Sequence, residues 1–128
     1  MSELGDLIYL YIGSADLGRD LRFYLEGLGG EQVWRFQSMG ADVAGVRLSR
    51  LGPLVILADH RPVPSVLPIW KCPDLDGAAE SLKAAGWEEV GHRVEVPDGP
   101  VLVLTDPSGN QIALLDQVRP NVLGRKEQ

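Results

Sequence analysis

The chain has 128 residues, 45% of them hydrophobic and 23% charged, with a net charge of −6. That length predicts one domain, 1–128, large enough to bury a real core. The acidic balance excludes the basic footprint that nucleic acid requires, no apolar run approaches the roughly 20 residues of a membrane span, and the lone Cys72 excludes an internal disulfide framework or a cysteine-based zinc site.

In chain order, "MSELGDL" has neither a basic flank nor a signal-like apolar stretch, so a cytoplasmic protein is expected. "LIYLYI" (Leu7–Ile12) is a continuous apolar and aromatic run, read as a strand buried on both faces. Asp16 is placed to cap a helix whose leucines, Leu17, Leu21, Leu25 and Leu28, recur at helical spacing, and Gly29 ends it. "EQVWRFQSM" and "ADVAGVRLSR" read as two strands joined around Gly40, and "GPLVILAD" as a third. "RPVPSVLP" holds three prolines in eight residues, which neither a helix nor a central strand tolerates, so it reads as a linker.

The pattern then restarts. "LPIWK" is a short strand, and Asp74 or Asp76 caps a helix that buries Leu75, Ala78, Ala79, Leu82 and Ala85 before Gly86 ends it. "WEEVGHRVEV" alternates as a strand with Val90, His92, Val94 and Val96 on one face; "PVLVLT" and "QIALLD" follow. Asp106-Pro107-Ser108-Gly109 is strong turn chemistry between the last two.

Each half is thus strand, helix, then three strands. The two helix-opening aspartates, Asp16 and Asp74, stand 58 residues apart, and the closing Gly29 and Gly86 stand 57 apart. "GPLVILAD" and "GNQIALLD" align at 57 as well, so helix and strand offsets agree on an internal repeat. Module one is expected over about 6–60, the Pro-rich linker over 61–66, module two over about 67–117, and a polar tail over 118–128.

Two βαβββ modules in this length resemble the vicinal oxygen chelate superfamily of glyoxalases, extradiol dioxygenases, epimerases and bleomycin-resistance proteins. "DPSGNQIALLD" is similar to the family's D-P-x-G-N-x-I-E-L ending, "FYLEGLGG" to its F-Y-x-x-x-L-G, and "DVAGVRL" to a strand of bleomycin-resistance members. The resemblance covers about Leu7 to Gln117. It implies an α+β fold: curved, mostly antiparallel mixed sheets around a cup, with the helices on the outer faces. It also implies a homodimer.

In metal-dependent members the resemblance implies ligands at four strand positions, typically His or Gln on the first strand of each module and Glu on the last. Here those positions fall on Tyr9, Ile56, Leu67 and Ala113. None is an ordinary divalent-metal ligand, and a one-residue slip reaches only Ile8, Leu10, Val55, Leu57, Val66, Pro68, Ile112 or Leu114. No metal, no other cofactor and no catalytic residue are therefore expected. The branch that remains is the metal-free, bleomycin-resistance-like one, which sequesters a ligand in an apolar, aromatic groove.

The aromatic residues fit such a groove. Tyr9 and Tyr11 alternate on the first strand, and Trp34 and Phe36 on the second, while Ile56, Leu67, Ile69, Ala113 and Leu115 complete an apolar lining. Flat rings suit planar or cationic ligands; their alternative role is packing in the core or at a dimer interface. His92 is a further ligand-contact candidate. Asp59, His60, His92 and Glu95, from different strands, are candidates for a displaced metal site. Arg35, Arg47 and Lys71 are candidates to meet an anion in the cup. No P-loop, dinucleotide fingerprint or nucleophile elbow is present.

Three functions compete on these residues. The first is a metal-independent protein sequestering an apolar, aromatic or cationic small molecule, with no nucleic acid and no membrane as partner. The second is a glyoxalase-like lyase or isomerase with a relocated or absent metal. The third is a non-catalytic structural or regulatory dimer module. The balance falls on a binding protein ahead of an enzyme.

Overall fold

Local chemistry opens both helices as the sequence suggests. In the structure, a computed structural model that describes residues 4–38 and 40–120, Asp16 caps helix α1 (Leu17–Arg22), its carboxylate accepting from the Arg19 N–H. Asp74, not Asp76, caps α2 (Leu75–Ala84) by accepting from the Gly77 N–H. A carboxylate there satisfies an otherwise unpaired N–H and suits the positive end of the helix dipole. The described residues form two compact units, 8–67 and 4–7 with 68–120.

In the unit 8–67 the strands are β1 (Leu7–Gly13, entering from the preceding residue), β2 (Glu31–Ser38), β3 (Ala41–Arg47) and β4 (Leu54–Ala58). They lie in the order β2-β3-β4-β1, with β1 parallel to β4 and the other pairs antiparallel. Leu17 and Leu21 of α1 pack on Ala44, Val46, Val55 and Leu57, which therefore share one face of the sheet. Tyr9, Tyr11, Leu54, Ile56, Val43, Gly45, Trp34 and Phe36 fall on the other face by alternation and register.

Two details differ from the sequence reading. Past Arg22 the helix widens into a π-helical turn, Phe23–Gly27. More residues per turn shift the phase of the leucine stripe. Tyr24 and Leu25 still reach the core, but Leu28 is 62% exposed. The first strand is also not buried on both faces: along β1 only Tyr9 is fully buried.

In the other unit, β5 (Val66–Lys71, entering from the residues before it), β6 (Glu88–Glu89), β7 (Val94–Val96), β8 (Gly99–Thr105) and β9 (Gln111–Leu115) are ordered β5-β9-β8-β6, with β7 also on β8. β5 and β9 are parallel, the rest antiparallel. Leu75, Ala78 and Ala79 of α2 pack on Cys72, Leu102, Leu104 and Leu114, with Trp70 and Trp87 against them. Ala85 lies at the helix cap and is exposed. Ile69, Ala113 and Leu115 fall on the face away from α2 by register.

The single strand expected over "WEEVGHRVEV" is instead two short ones, β6 and β7. Gly91 between them adopts φ of 64°, a conformation that breaks a ladder and that glycine alone takes without strain. His92 accordingly sits in a loop, exposed. Among the described residues no helix is long and apolar enough to cross a membrane. The expected tail 118–128 lies outside the described residues from 121 onward.

Candidate functional site

The helix-free face of the 8–67 unit gathers the aromatic residues. Its register sets Trp34, Gly45, Ile56 and Tyr11 in one row across four strands, and Phe36, Val43, Ala58 and Gly13 in the next. Gly45 has a local reason: a Cβ there would stand 2.5 Å from Cε2 and 2.8 Å from Nε1 of the Trp34 indole. The missing side chain lets the indole lie across β3. A register irregularity between Gln32 and Trp34 sets the phase of β2. Phe36 stacks on Trp34 with ring centroids 5.2 Å apart and planes at 25°. Trp34 is 9% exposed and Phe36 43%.

At the other end of the row, the Tyr11 hydroxyl and His60 Nε2 share a hydrogen bond of 2.6 Å, with the rings edge to face at 5.8 Å. The Arg61 guanidinium carbon stands 5.4 Å from the centre of the Tyr11 ring, a cation–π contact. Burial pushes the Tyr11 phenol above its ordinary value, while the Arg61 charge pulls the other way. Two N–H groups of this unit, Trp34 Nε1 and Arg61 Nε, are buried with no hydrogen-bond partner among the described residues. Such an orphan costs roughly 1–3 kcal/mol. Both are donors.

The other residues singled out in the sequence lie as follows. Tyr9 is 3% exposed, two residues before Tyr11 on the same face, and Ile56 and Leu67 are buried. Ile69, Ala113 and Leu115 are buried in the other unit. Arg35 turns to the α1 face, where it grips Asp42 bidentately at 3.0 and 2.7 Å and holds its carboxyl below the usual range. Arg47 is half-buried and Lys71 exposed.

Each acid of the displaced metal set has other work: Asp59 accepts from the Asp42 N–H, and Glu95 pairs with Arg119. No cluster of three or more His, Cys, Asp or Glu able to hold a metal occurs among the described residues. The four strand positions implied by the resemblance do not fit a divalent ion either: Ile56, Leu67 and Ala113 are hydrocarbon, and only the Tyr9 hydroxyl carries a donor atom. The sequence reading passed over Arg61, which stands among prolines in a stretch that looks like a linker. It also passed over Gly45, although a glycine inside a strand signals a close approach.

A helix over one face of each mixed sheet, with an aromatic row on the other face of the first, defines an α+β domain. The profile of the Glyoxalase/Bleomycin resistance protein/Dioxygenase superfamily matches residues 7–114, and the chain belongs to that superfamily. No match is found among curated proteins. Among solved structures, methylmalonyl-CoA epimerase from Mycobacterium tuberculosis is similar at a TM-score of 0.74 and 19% identity, covering 91% of both chains. A Streptomyces coelicolor methylmalonyl-CoA epimerase variant in complex with 2-nitronate-propionyl-CoA matches at 0.73 and 16%, covering 91% of this chain and 96% of that one. A superfamily member from Vibrio splendidus 12B01 matches at 0.64 and 14%, covering 90% and 99%. At these identities the likeness establishes the α+β fold, one that enzymes share.

Proposed function

We propose that the chain is a metal-independent small-molecule-binding member of the superfamily, of the bleomycin-resistance-like kind. It is built from two tandem βαβββ modules and acts as a cytoplasmic homodimer. A flat apolar or aromatic ligand lies on the helix-free face of the first module, against Tyr11, Trp34, Phe36 and Ile56. The observation that carries this reading is the chemistry of the family's metal positions: three of the four have no donor atom, while aromatic rings line one sheet face of the 8–67 unit. His92 is exposed in its loop.

The test is metal content by mass spectrometry, after loading with zinc, nickel and manganese and then desalting. Below about a tenth of an equivalent is expected for a set this poor in donors. Near one equivalent of any of the three overturns the reading.

A second reading is a glyoxalase-like isomerase or lyase. Epimerases are among the structural neighbours, and the Tyr11–His60 hydrogen bond is an acid–base pair on the same face. Turnover of an acyl-CoA or 2-oxoacid substrate by the metal-stripped protein, abolished in Tyr11→Phe, would establish it.

A further inference from the structure

The aromatic face has a polarity that its hydrocarbon lining conceals. Its two buried, unpartnered polar atoms are both N–H donors: Trp34 Nε1, on a side chain about nine-tenths buried, and Arg61 Nε. The two rows that carry the rings contain no carboxylate. Tyr11, the one other polar side chain in those rows, already shares its hydroxyl with His60.

Charge is divided in the same sense. Residues 8–67 hold six acidic and six basic residues, all six of the latter arginine, whereas the rest of the sequence holds twelve acidic and six basic. The whole net charge of −6 therefore lies outside this unit, and the aromatic face belongs to the neutral, arginine-bearing part. A cationic ligand would meet a guanidinium here and no anion. An acceptor-bearing anion that displaced the groups covering them would satisfy both orphan donors, which is the arrangement buried polar groups require.

The spacing limits the shape. The Trp34 indole lies over Gly45, and Gly45, Ile56 and Tyr11 are neighbours on successive strands. Strands lie about 4.8 Å apart, so the Gly45 and Tyr11 ends of the row are separated by about 10 Å. Two fused aromatic rings with a polar group at each end, hydrogen-bonded outward, span about that distance.

We propose that this face selects a rigid, planar organic anion, its carboxylate paired with Arg61 and a hydroxyl or carbonyl oxygen at its far end accepting from Trp34 Nε1. The assignment rests on the binding reading above and names the ligand class for the same face. Phe36, stacked on Trp34 and partly exposed, covers the indole end.

The experiment titrates the full-length protein with 6-hydroxy-2-naphthoate, 2-naphthoate and 2-naphthylmethylammonium by calorimetry. The hydroxynaphthoate is expected to bind about tenfold more tightly than 2-naphthoate, and both carboxylates at least about tenfold more tightly than the ammonium. Trp34→Phe should erase the first difference, and Arg61→Gln the second. Each variant is checked for folding by its thermal melt. Should Trp34→Phe not fold, the wild-type protein labelled at its three indole nitrogens decides: one N–H resonance must move with the hydroxynaphthoate and stay put with 2-naphthoate.

Ammonium binding as tight as carboxylate binding overturns the inference and leaves the binding reading standing. So does a hydroxyl preference that survives Trp34→Phe. No binding by any of the three probes overturns the binding reading itself, and the inference with it.

Discussion

Gly45 and Trp34 form a pair that only the register brings together. A β-carbon at 45 would press on the indole at 2.5 Å, so either the ring or the strand must shift. Gly45→Val is therefore expected to cost about 1–3 kcal/mol, read from the urea midpoint at unchanged slope. Gly27→Ala is the control, because nothing lies within 4 Å of its added carbon; it should stay within about 0.5 kcal/mol of the wild type. Equal effects at the two sites would mean that the indole does not lie on β3. Tyr11 gives a second test at this scale. Burial holds its phenol above the ordinary value of 10.0, so the folded chain keeps a proton that the unfolded chain releases. That contribution is complete below pH 10.0 and is lost as pH rises through the higher folded value. Tyr11→Phe also removes the hydrogen bond to His60, worth about 0.5–1.5 kcal/mol at neutral pH. In urea unfolding at increasing alkalinity, wild-type stability should fall toward that of the variant. Parallel curves would show that the phenol is not buried.

Helix caps and turns were the most legible parts of the elements, because each depends on a few neighbouring residues. Asp16, Asp74 and the Asp106–Gly109 turn all act where their local chemistry suggests. The strand break at Gly91 and the π-helical turn after Arg22 were not legible: alternation continues across the first and leucine spacing across the second. Arg61 escaped for a different reason. Its contact with Tyr11 joins residues 50 apart, and only the parallel pairing of β1 with β4 brings them near. The turn before β9 offers a test. Asp106 accepts from the N–H groups of Ser108 and Asn110 and from the Asn110 side chain, and the Asn110 N–H above all holds its carboxyl below the ordinary 3.8. Its contribution is present above pH 3.8 and is lost as pH falls through the lower folded value. Asp106→Ala should lower the melting temperature at neutral pH, and the gap to wild type should close as the buffer is acidified below that range. A gap that persists in acid would assign the effect to backbone packing rather than to the carboxylate.

For the whole molecule, the repeated βαβββ pattern and its family resemblance located the fold class, while net charge and the aromatic face point to different ligands. A chain of net charge −6 invites a cationic partner through its long-range field, and the sequence reading included one. The division of charge between the two units becomes visible only once their boundary is known. The field and the aromatic face then act in opposition. At low salt the chain's negative charge repels an incoming carboxylate at long range, while Arg61 attracts it at contact. Salt screens the first interaction strongly and the second weakly, because Arg61 is partly buried against Tyr11. Between roughly 20 and roughly 500 mM sodium chloride, the affinity for 6-hydroxy-2-naphthoate should therefore hold or rise, and its association rate should increase. Exposed arginines would behave in the opposite way, losing affinity steadily as salt is added. Stopped-flow quenching of tryptophan fluorescence across that range separates the two. A fall in affinity of about tenfold or more would move the anion from the aromatic row to the protein surface.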